Sequence, residues 1–424
     1  MSGNPLPGLP TDTIPQDGNA RPGQEYEGGF RSLGVPRWGT HSAVGIESVL
    51  WAYAPNREPR AEQEPDVIDG IPVIDAVIHP YNLAEENFRT DHARWITAML
   101  SGGNHAASAP GYRLTREAYE RNWSIEEVAN MTFTESYADL AAYHVVPIRA
   151  YYDGICSIDK ALEARARWPD RFIFYAGVDP MEGSKALDEL EEQNELLGHP
   201  QGLKLYPNSW VGNEVRGWLM DDPEIAFPVF ERAQQLGITV VAIHKALPLG
   251  PVEAVHYGVR DIDRAAMAFP DLNFEIVHGG MAFLEETAWQ IARFPNVWVN
   301  LESTATMLTT RPRAFEQALA TLLAKSKRAI NQILWATGCM VTHPRPHLER
   351  FVREFQFSDE LVEQWGIPAL DEAAKRKILA ENYARLHRID LNERLAKVAG
   401  DEFAHPRCQP AAPYSLTKVA SEVS

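Results

Sequence analysis

Three short apolar runs in this chain each close on a basic side chain, and that repetition limits the folds open to it. They read Gly202-Leu203-Lys204-Leu205-Tyr206-Pro207, Ile238-Thr239-Val240-Val241-Ala242-Ile243-His244 and Phe274-Glu275-Ile276-Val277-His278-Gly279-Gly280. A buried strand that ends in Lys or His places that side chain at its carboxyl end. Barrel enzymes assemble their sites there, from several strands at once. Three such endings in order, with helical segments between them, imply a shared site.

Strand-like and helix-like segments alternate along the chain. The predicted strands are 73–79, 145–149, 172–178, 202–206, 238–244, 273–278, 297–302 and 332–337, each short, apolar and often β-branched. Such runs suit strands buried on both faces. The stretches 158–168, 185–197, 224–236, 283–294 and 313–324 carry helical periodicity. Asp222-Pro223-Glu224 reads as a helix start and Gly237 as a stop. Eight strands with helical crossovers close naturally into a (β/α)₈ barrel, a TIM barrel, in the α/β class. The alternative, a doubly wound open sheet, usually has a Gly-rich loop after its first strand, and His79-Pro80-Tyr81-Asn82 is not one. The expected organisation is an irregular N-terminal arm over 1–70, a barrel over 71–388 and a C-terminal extension over 389–424 broken by Pro406, Pro410 and Pro413. A helical cap over about 83–142 is expected after the first strand. Phe30, Trp38 and Trp51 in the arm predict that part of it packs on a neighbour, in this barrel or another subunit.

The formal net charge of −18 argues against nucleic acid, whose phosphates it would repel, and no Lys/Arg block suggests an anionic membrane. Cys156, Cys339 and Cys408 are odd in number and far apart. That predicts no disulfide framework and a reducing cytoplasm. Residues 1–29 hold no apolar run like a signal peptide, and no segment has the apolar length of a membrane span.

His79 ends the first predicted strand, His244 the fifth, His278 the sixth and Glu302 the seventh. Residues two apart on a strand share a face. Lys204 is therefore expected to point with Gly202 and Tyr206, His244 with Ala242, and His278 with Ile276. In a closed barrel His79, Lys204, His244, His278 and Glu302 converge. Imidazoles with a carboxylate are ligands for zinc, iron or manganese, and two His with one carboxylate suits non-haem Fe(II) in particular. Lys204 has two readings, an anchor for a substrate carboxylate or a carbamate bridging two metals. Glu302 is a ligand or an ordinary rim carboxylate, and Asp75 a supporting or structural acid. The eighth segment, Ile333-Leu334-Trp335-Ala336-Thr337-Gly338-Cys339-Met340, has Gly where a barrel hydrolase needs an aspartate. Cys339 is a soft ligand or a packed thiol. His343 and His347, in the loop beyond, are stand-ins for the missing ligand or solvated residues.

From about Val73 to His387 the chain resembles the amidohydrolase-related family that includes aminocarboxymuconate-semialdehyde decarboxylase. The resemblance rests on the run 202–207 through Asp221-Asp222-Pro223 to Ile243-His244, on Ile276-Val277-His278-Gly279-Gly280, and on the ending Ile378-Leu379-Ala380-Glu381-Asn382-Tyr383-Ala384-Arg385-Leu386. It implies a distorted barrel with one or two divalent metals. Two departures stand out. The family's first-strand pair keeps only its second member, His79, and its eighth-strand aspartate is Gly338. The residues of the second metal position, Lys204, His244 and His278, remain. Loss of the aspartate weakens hydrolysis, which needs a base beside metal-bound water.

The chain also resembles a small oxygenase branch that includes 2-aminoisobutyrate hydroxylase subunits, which pairs a catalytic with a reduced subunit. The expected function is therefore a component of a non-haem iron or manganese monooxygenase acting on a small amino or carboxylic acid, in an oligomer with itself or a paralogue. The alternatives are a metal-dependent decarboxylase or hydrolase of a small, for instance aromatic, carboxylic acid, and a non-catalytic partner subunit.

Overall fold

The computed structural model describes residue 68 and residues 70–417 apart from 212–213, 251 and 405–409. The expected arm, with Phe30, Trp38 and Trp51, lies outside the described residues but for 68 and 70, and so does Cys408.

Ten strands are present among the described residues: β1 Ile74–Ile78, β2 Leu140–His144, β3 Phe172–Gly177, β4 Gly202–Leu205, β5 Asn208–Val211, β6 Glu214–Gly217, β7 Val240–His244, β8 Asn273–Val277, β9 Val297–Asn300 and β10 Ile333–Leu334. Eight of them form one parallel sheet in the order β1-β2-β3-β4-β7-β8-β9-β10, while β5 and β6 make a separate antiparallel hairpin. The sheet closes on itself. Ala76 N–H donates to Trp335 O at 3.0 Å, Gly338 N–H to Val77 O at 3.1 Å, and Ile78 pairs in parallel with Cys339. Closure leaves no bare edge and sends every strand's carboxyl end to one face. The expected TIM barrel is what forms.

The sequence sets the two faces of each strand. Ile74, Ala76, Leu140, Ala142, Ile173, Tyr175, Val240, Ala242, Trp298, Leu334 and Ala336 fill the interior, small residues alternating with large. Val241, Ile243, Phe274, Ile276, Val297 and Val299 face the surrounding helices. Those helices include Ile158–Arg167, Ser184–Leu196, Ala226–Gln235, Asp261–Ala268, Leu284–Arg293 and Pro312–Ala324. The third begins two residues later than expected, because the Asp222 carboxylate accepts from Glu224 N–H and Ile225 N–H and makes a turn first. Gly237 ends that crossover at φ +82. In β1 the register slips between Asp75 and Ile78, a β-bulge. Ala76 and Val77 therefore both belong to the interior, and His79 lies on the face of Val77.

One expected strand is displaced. Residues 145–149 are not a strand, and the second strand is Leu140–His144. Val145, Val146 and Ile148 have β-forming side chains, but Pro147 cannot donate to a ladder. The shift puts His144 at a strand end, a position the sequence reading did not give it. The cap expected over 83–142 ends at 139, before β2 begins. It contains the helix Asp91–Ala107, the π turn Asn130–Thr134 and shorter helices.

Opposite the mouth, the helical run Glu372–Leu386 and the helix Leu391–Val398 cover the barrel foot. The C-terminal extension is thus helical at its start. Buried Arg171 ties it to the barrel, donating to Asp139 O, Val398 O and the Asp401 carboxylate. Residues 410–417 dock on buried Glu135, which accepts from Tyr414 N–H at 2.7 Å and Leu416 N–H at 2.9 Å. Among the described residues no helix is long and apolar enough to cross a membrane.

Interior packing is tight at Gly202, where a Cβ would fall inside the Tyr175 ring. Gly202→Ala is expected to cost roughly 1–3 kcal/mol by overpacking. Gly102, exposed within Asp91–Ala107 with nothing near its missing Cβ, should gain roughly 0.5–1 kcal/mol as Ala. Urea unfolding of both variants checks the contrast.

Candidate metal centre

Five of the residues singled out in the sequence meet at the barrel mouth. His79 follows β1, Lys204 lies in β4, His244 ends β7, His278 follows β8, and Glu302 lies two residues past β9. All are buried, none more than 5% exposed. His278 arrives by an unexpected route. The pleat puts Val277 inside and Ile276 outside, so His278 does not share a face with Ile276. Its φ of +66 breaks the alternation and swings the ring into the mouth.

Hydrogen bonds on the outer side of each ring set its tautomer. His244 Nε2 lies 3.0 Å from Leu247 O, and His278 Nδ1 lies 3.3 Å from Glu302 O. A carbonyl only accepts, so these nitrogens carry the protons and the opposite ones are bare. The bare nitrogens, His244 Nδ1 and His278 Nε2, face each other at 3.0 Å. Two facing lone pairs repel unless a cation or proton lies between them. Ligands about 2.1 Å from one ion and about 90–110° apart are separated by about 3.0–3.4 Å, which matches this pair.

Glu302 completes the group. Its Oε2 lies 3.7 Å from His278 Nε2 and has no hydrogen-bond partner, and its Oε1 lies 3.3 Å from His79 Nε2. Among the described residues no three His, Cys, Asp or Glu side chains already form a coordination shell. The donor types and the orphaned lone pairs nevertheless fit a divalent cation held by His244, His278 and Glu302, with His79 behind.

The electrostatics agree. Burial, with His278 and Lys204 adding to it, holds the His244 ring well below the ordinary imidazole value. Burial brings His278 down to about 4 against the pull of Glu302. Both rings are therefore neutral at pH 7 and free to donate lone pairs. Burial alone would raise the Glu302 carboxyl, but His278, His79 and Lys204 outweigh it and keep the group ionised. Burial lowers the Lys204 amine to about 8, opposed by Glu302 and Glu275.

Gly338 explains the missing aspartate. It has φ +66, and a Cβ there would come within 2.7 Å of Glu302 Cγ and Oε1. The Glu302 carboxylate occupies the space a side chain at 338 would need.

A cavity of about 270 Å³ opens over the site. His244, His278 and Glu302 form its floor, and Ile96, Met99, Leu100, Leu249 and Met281 are among its apolar walls. The Tyr81 and Tyr206 rings also line it, stacked on His79 and His244 with centroids 5.1 and 4.6 Å apart. Burial raises both phenols well above their ordinary value, so they stay protonated and can donate to a substrate oxygen. Arg311 lines the cavity at its exposed edge, with no ion pair or side-chain hydrogen bond among the described residues.

The other expected site residues lie elsewhere. Lys204 is not on the cavity wall. It lies beneath Tyr206, its Nζ 5.2 Å from that ring and without a hydrogen-bond partner, so the substrate-anchor reading is corrected. Asp75 accepts from Val77 N–H, Thr337 N–H and the Thr337 hydroxyl, a buckle between the first and last strands. His343 does not reach the mouth, because its Nε2 is 3.1 Å from Glu135 Oε2 in the seam with the C-terminal segment. His347 is held between the Thr309 and Thr342 hydroxyls. Cys339 is packed with its thiol 3.6 Å from the Thr132 hydroxyl, and burial raises that thiol, which removes it as a ready ligand. Sequence reasoning missed Tyr81, Arg311 and His144. His144, 0% exposed with neither ring nitrogen partnered, stacks on Tyr175 inside the barrel. The alternating Leu140, Ala142 and His144 were the signal for it.

A closed parallel barrel with imidazoles and a carboxylate at its carboxyl face is the architecture of a barrel metalloenzyme. A family model described as Amidohydrolase matches residues 103–389, and the chain belongs to that family. Comparison with curated proteins gives no match. Among solved structures, an uncharacterised TIM-barrel protein from Bordetella bronchiseptica is 19% identical with a TM-score of 0.53, covering 76% of this chain and 99% of that one. A 2,6-dihydroxybenzoate decarboxylase from Rhizobium is 16% identical with a TM-score of 0.46, covering 75% and 98%. A 5-carboxyvanillate decarboxylase from Novosphingobium aromaticivorans, solved with manganese, is 14% identical with a TM-score of 0.46, covering 76% and 97%. Likeness at these identities concerns the fold alone.

Manganese titration followed by calorimetry is expected to show His244→Ala and His278→Ala weakening metal binding tenfold or more. Gly338→Ala should weaken it comparably, because the new methyl displaces the Glu302 carboxylate. Full binding by a folded Gly338→Ala would contradict the space-sharing.

Proposed function

We propose that this chain is a metal-dependent enzyme that removes carbon dioxide from a small, largely apolar carboxylic acid, an aromatic acid being the simplest fit. The observation that carries this reading is the pair of bare imidazole nitrogens, with the unpartnered Glu302 oxygen, at the floor of an apolar cavity. Hydrolysis fits less well, because among the described residues Glu302 is the only carboxylate lining that cavity and it would itself hold the cation.

His244, His278 and Glu302 would hold the cation. When bound it supplies Lewis-acid polarisation of a substrate oxygen. Tyr81 and Tyr206 donate hydrogen bonds to the substrate from either side of the floor. Ile96, Met99, Leu100 and Met281 exclude water from its ring. A carboxylate stripped of water in such surroundings is raised in energy relative to the charge-dispersed state in which the C–C bond breaks. The bond's electron pair stays on the carbon, which takes up one proton as carbon dioxide leaves. Arg311 sits where it can guide an anionic substrate to the mouth. Lys204 is the fixed counter-charge beneath Glu302.

A second reading rests on one feature, two imidazoles and one carboxylate facing an open cavity, which also suits an iron-dependent monooxygenase component. Carbon dioxide release from a panel of hydroxybenzoates, with manganese, zinc or iron and with or without oxygen, separates the two. Oxygen-independent release that disappears in His278→Ala supports decarboxylation. Turnover only with iron and oxygen, with oxygen incorporated into product, sinks it and favours the second reading. Arg311→Gln is expected to raise KM about tenfold with little change in kcat.

A further inference from the structure

The foot of the barrel carries a second cavity that the proposed reaction does not use. This groove of about 410 Å³ lies at the amino ends of β3 and β4, opposite the metal centre. Conserved chemistry of barrel enzymes is not expected on that face. Yet four cations line it, Arg165, Arg388, Arg394 and Lys397, against two carboxylates, Asp390 and Glu393. In a chain of net charge −18 such a concentration is unusual.

The carboxylates are already engaged. Asp390 accepts from Glu393 N–H to start the helix Leu391–Val398, and Glu393 pairs with Lys397 at 2.9 Å. Arg394 reaches Asp170 at 3.4 Å and donates to Phe172 O, but its Nε is buried without a partner. Arg165 lies over Gly198, donates only to Leu196 O and has no acidic partner among the described residues. Arg388, held at φ +53, has no side-chain partner there. Two guanidiniums are thus left uncompensated.

His387 supplies the second observation. It lines the groove, is 2% exposed, and its Nδ1 has no partner. Its Nε2 faces inward, 2.6 Å from the Tyr175 hydroxyl. That hydroxyl spends its one proton on Glu275 Oε2, at 3.0 Å, and accepts from the Tyr383 hydroxyl. Burial raises the Glu275 carboxyl to about 7, so at about pH 8 it is ionised and can only accept; His387 Nε2 is then the donor, which leaves Nδ1 as a bare acceptor. Burial keeps the ring neutral, near a value of about 3. A ligand that satisfies this groove needs negative charge for Arg165 and Arg388 and a hydroxyl to donate to His387.

We infer that the groove at the barrel foot is a binding site for a small hydroxyl-bearing oxyanion, with Arg165 and Arg388 as its charge clamp and His387 Nδ1 reading the hydroxyl. Hydrogen phosphate and small hydroxy acids share that chemistry. Matched pairs differing in the hydroxyl distinguish them. At about pH 8 hydrogen phosphate keeps a hydroxyl and sulfate has none, and malate carries one that succinate lacks.

Calorimetric titration of the full chain with these four anions at constant ionic strength tests the site. Saturable binding is expected for phosphate or malate, at least fivefold tighter than for its hydroxyl-free counterpart, with a matching rise in Tm. Whichever pair shows the preference identifies the source. Arg165→Gln with Arg388→Gln, both at exposed positions, should weaken binding at least tenfold while circular dichroism and manganese binding stay unchanged. Should the pair not fold, Arg388→Gln alone is expected to weaken it at least threefold. Equal binding within both pairs, or undiminished binding by the folded variant, overturns the inference.

Discussion

Taking a carboxylate, an amine and several imidazoles out of water at one point is the physical problem around which this barrel is built. Glu302, Lys204, His79, His244 and His278 are all buried at the mouth, where each charge alone would be strongly unfavourable. They are tolerable because they compensate one another. Lys204 and the imidazoles keep Glu302 ionised, while burial keeps the rings of His244 and His278 neutral. The compensation exists only when β1 meets the segment after β10, since His79 and Gly338 come from opposite ends of the fold. Barrel closure and site assembly are one event.

The compensation is incomplete in an informative way. Lys204 Nζ, Glu302 Oε2 and both His144 nitrogens have no hydrogen-bond partner. Buried polar atoms left unmatched cost stability, so a cluster of them is a site prepared for something it does not itself contain. At the mouth the bare imidazole nitrogens and the carboxylate oxygen have the donor chemistry that a divalent cation would satisfy. Below them a polar column of Tyr175, Glu275, Asn300 and Tyr383 runs through an interior that barrels usually fill with branched apolar side chains. That column links the Glu302 backbone, through Asn300, Glu275 and Tyr175, to His387 at the foot.

Much of this was legible before folding. Seven of the eight barrel strands fall within the expected runs, and the strand-end residues Lys204, His244, His278 and Glu302 do converge. They were readable because a strand buried on both faces must be apolar throughout, so a polar residue at its end stands out. The second strand failed this test. Leu140-Ala141-Ala142-Tyr143-His144 is poor in β-branched residues beside Val145-Val146, and only the non-donating Pro147 argued for the earlier run. His278 failed differently, since a positive φ at a non-Gly residue leaves no mark in the sequence. Lys204 was correctly placed, but nothing local says that Tyr206 will lie over it and keep it from the cavity.

The sequence by itself determined the alternation of elements, the closure into a parallel barrel and the identity of most side chains at its mouth. These follow from period-two and period-3.6 burial, which are properties of a chain segment. Tertiary structure alone decided which nitrogen of each histidine is bare, that Glu302 takes the space over Gly338, that Arg311 edges the cavity, and that His343 and Cys339 are spent on packing. Those depend on which carbonyl, methyl or ring arrives from a distant segment, and hydrogen-bond direction and excluded volume act through space, not along the chain.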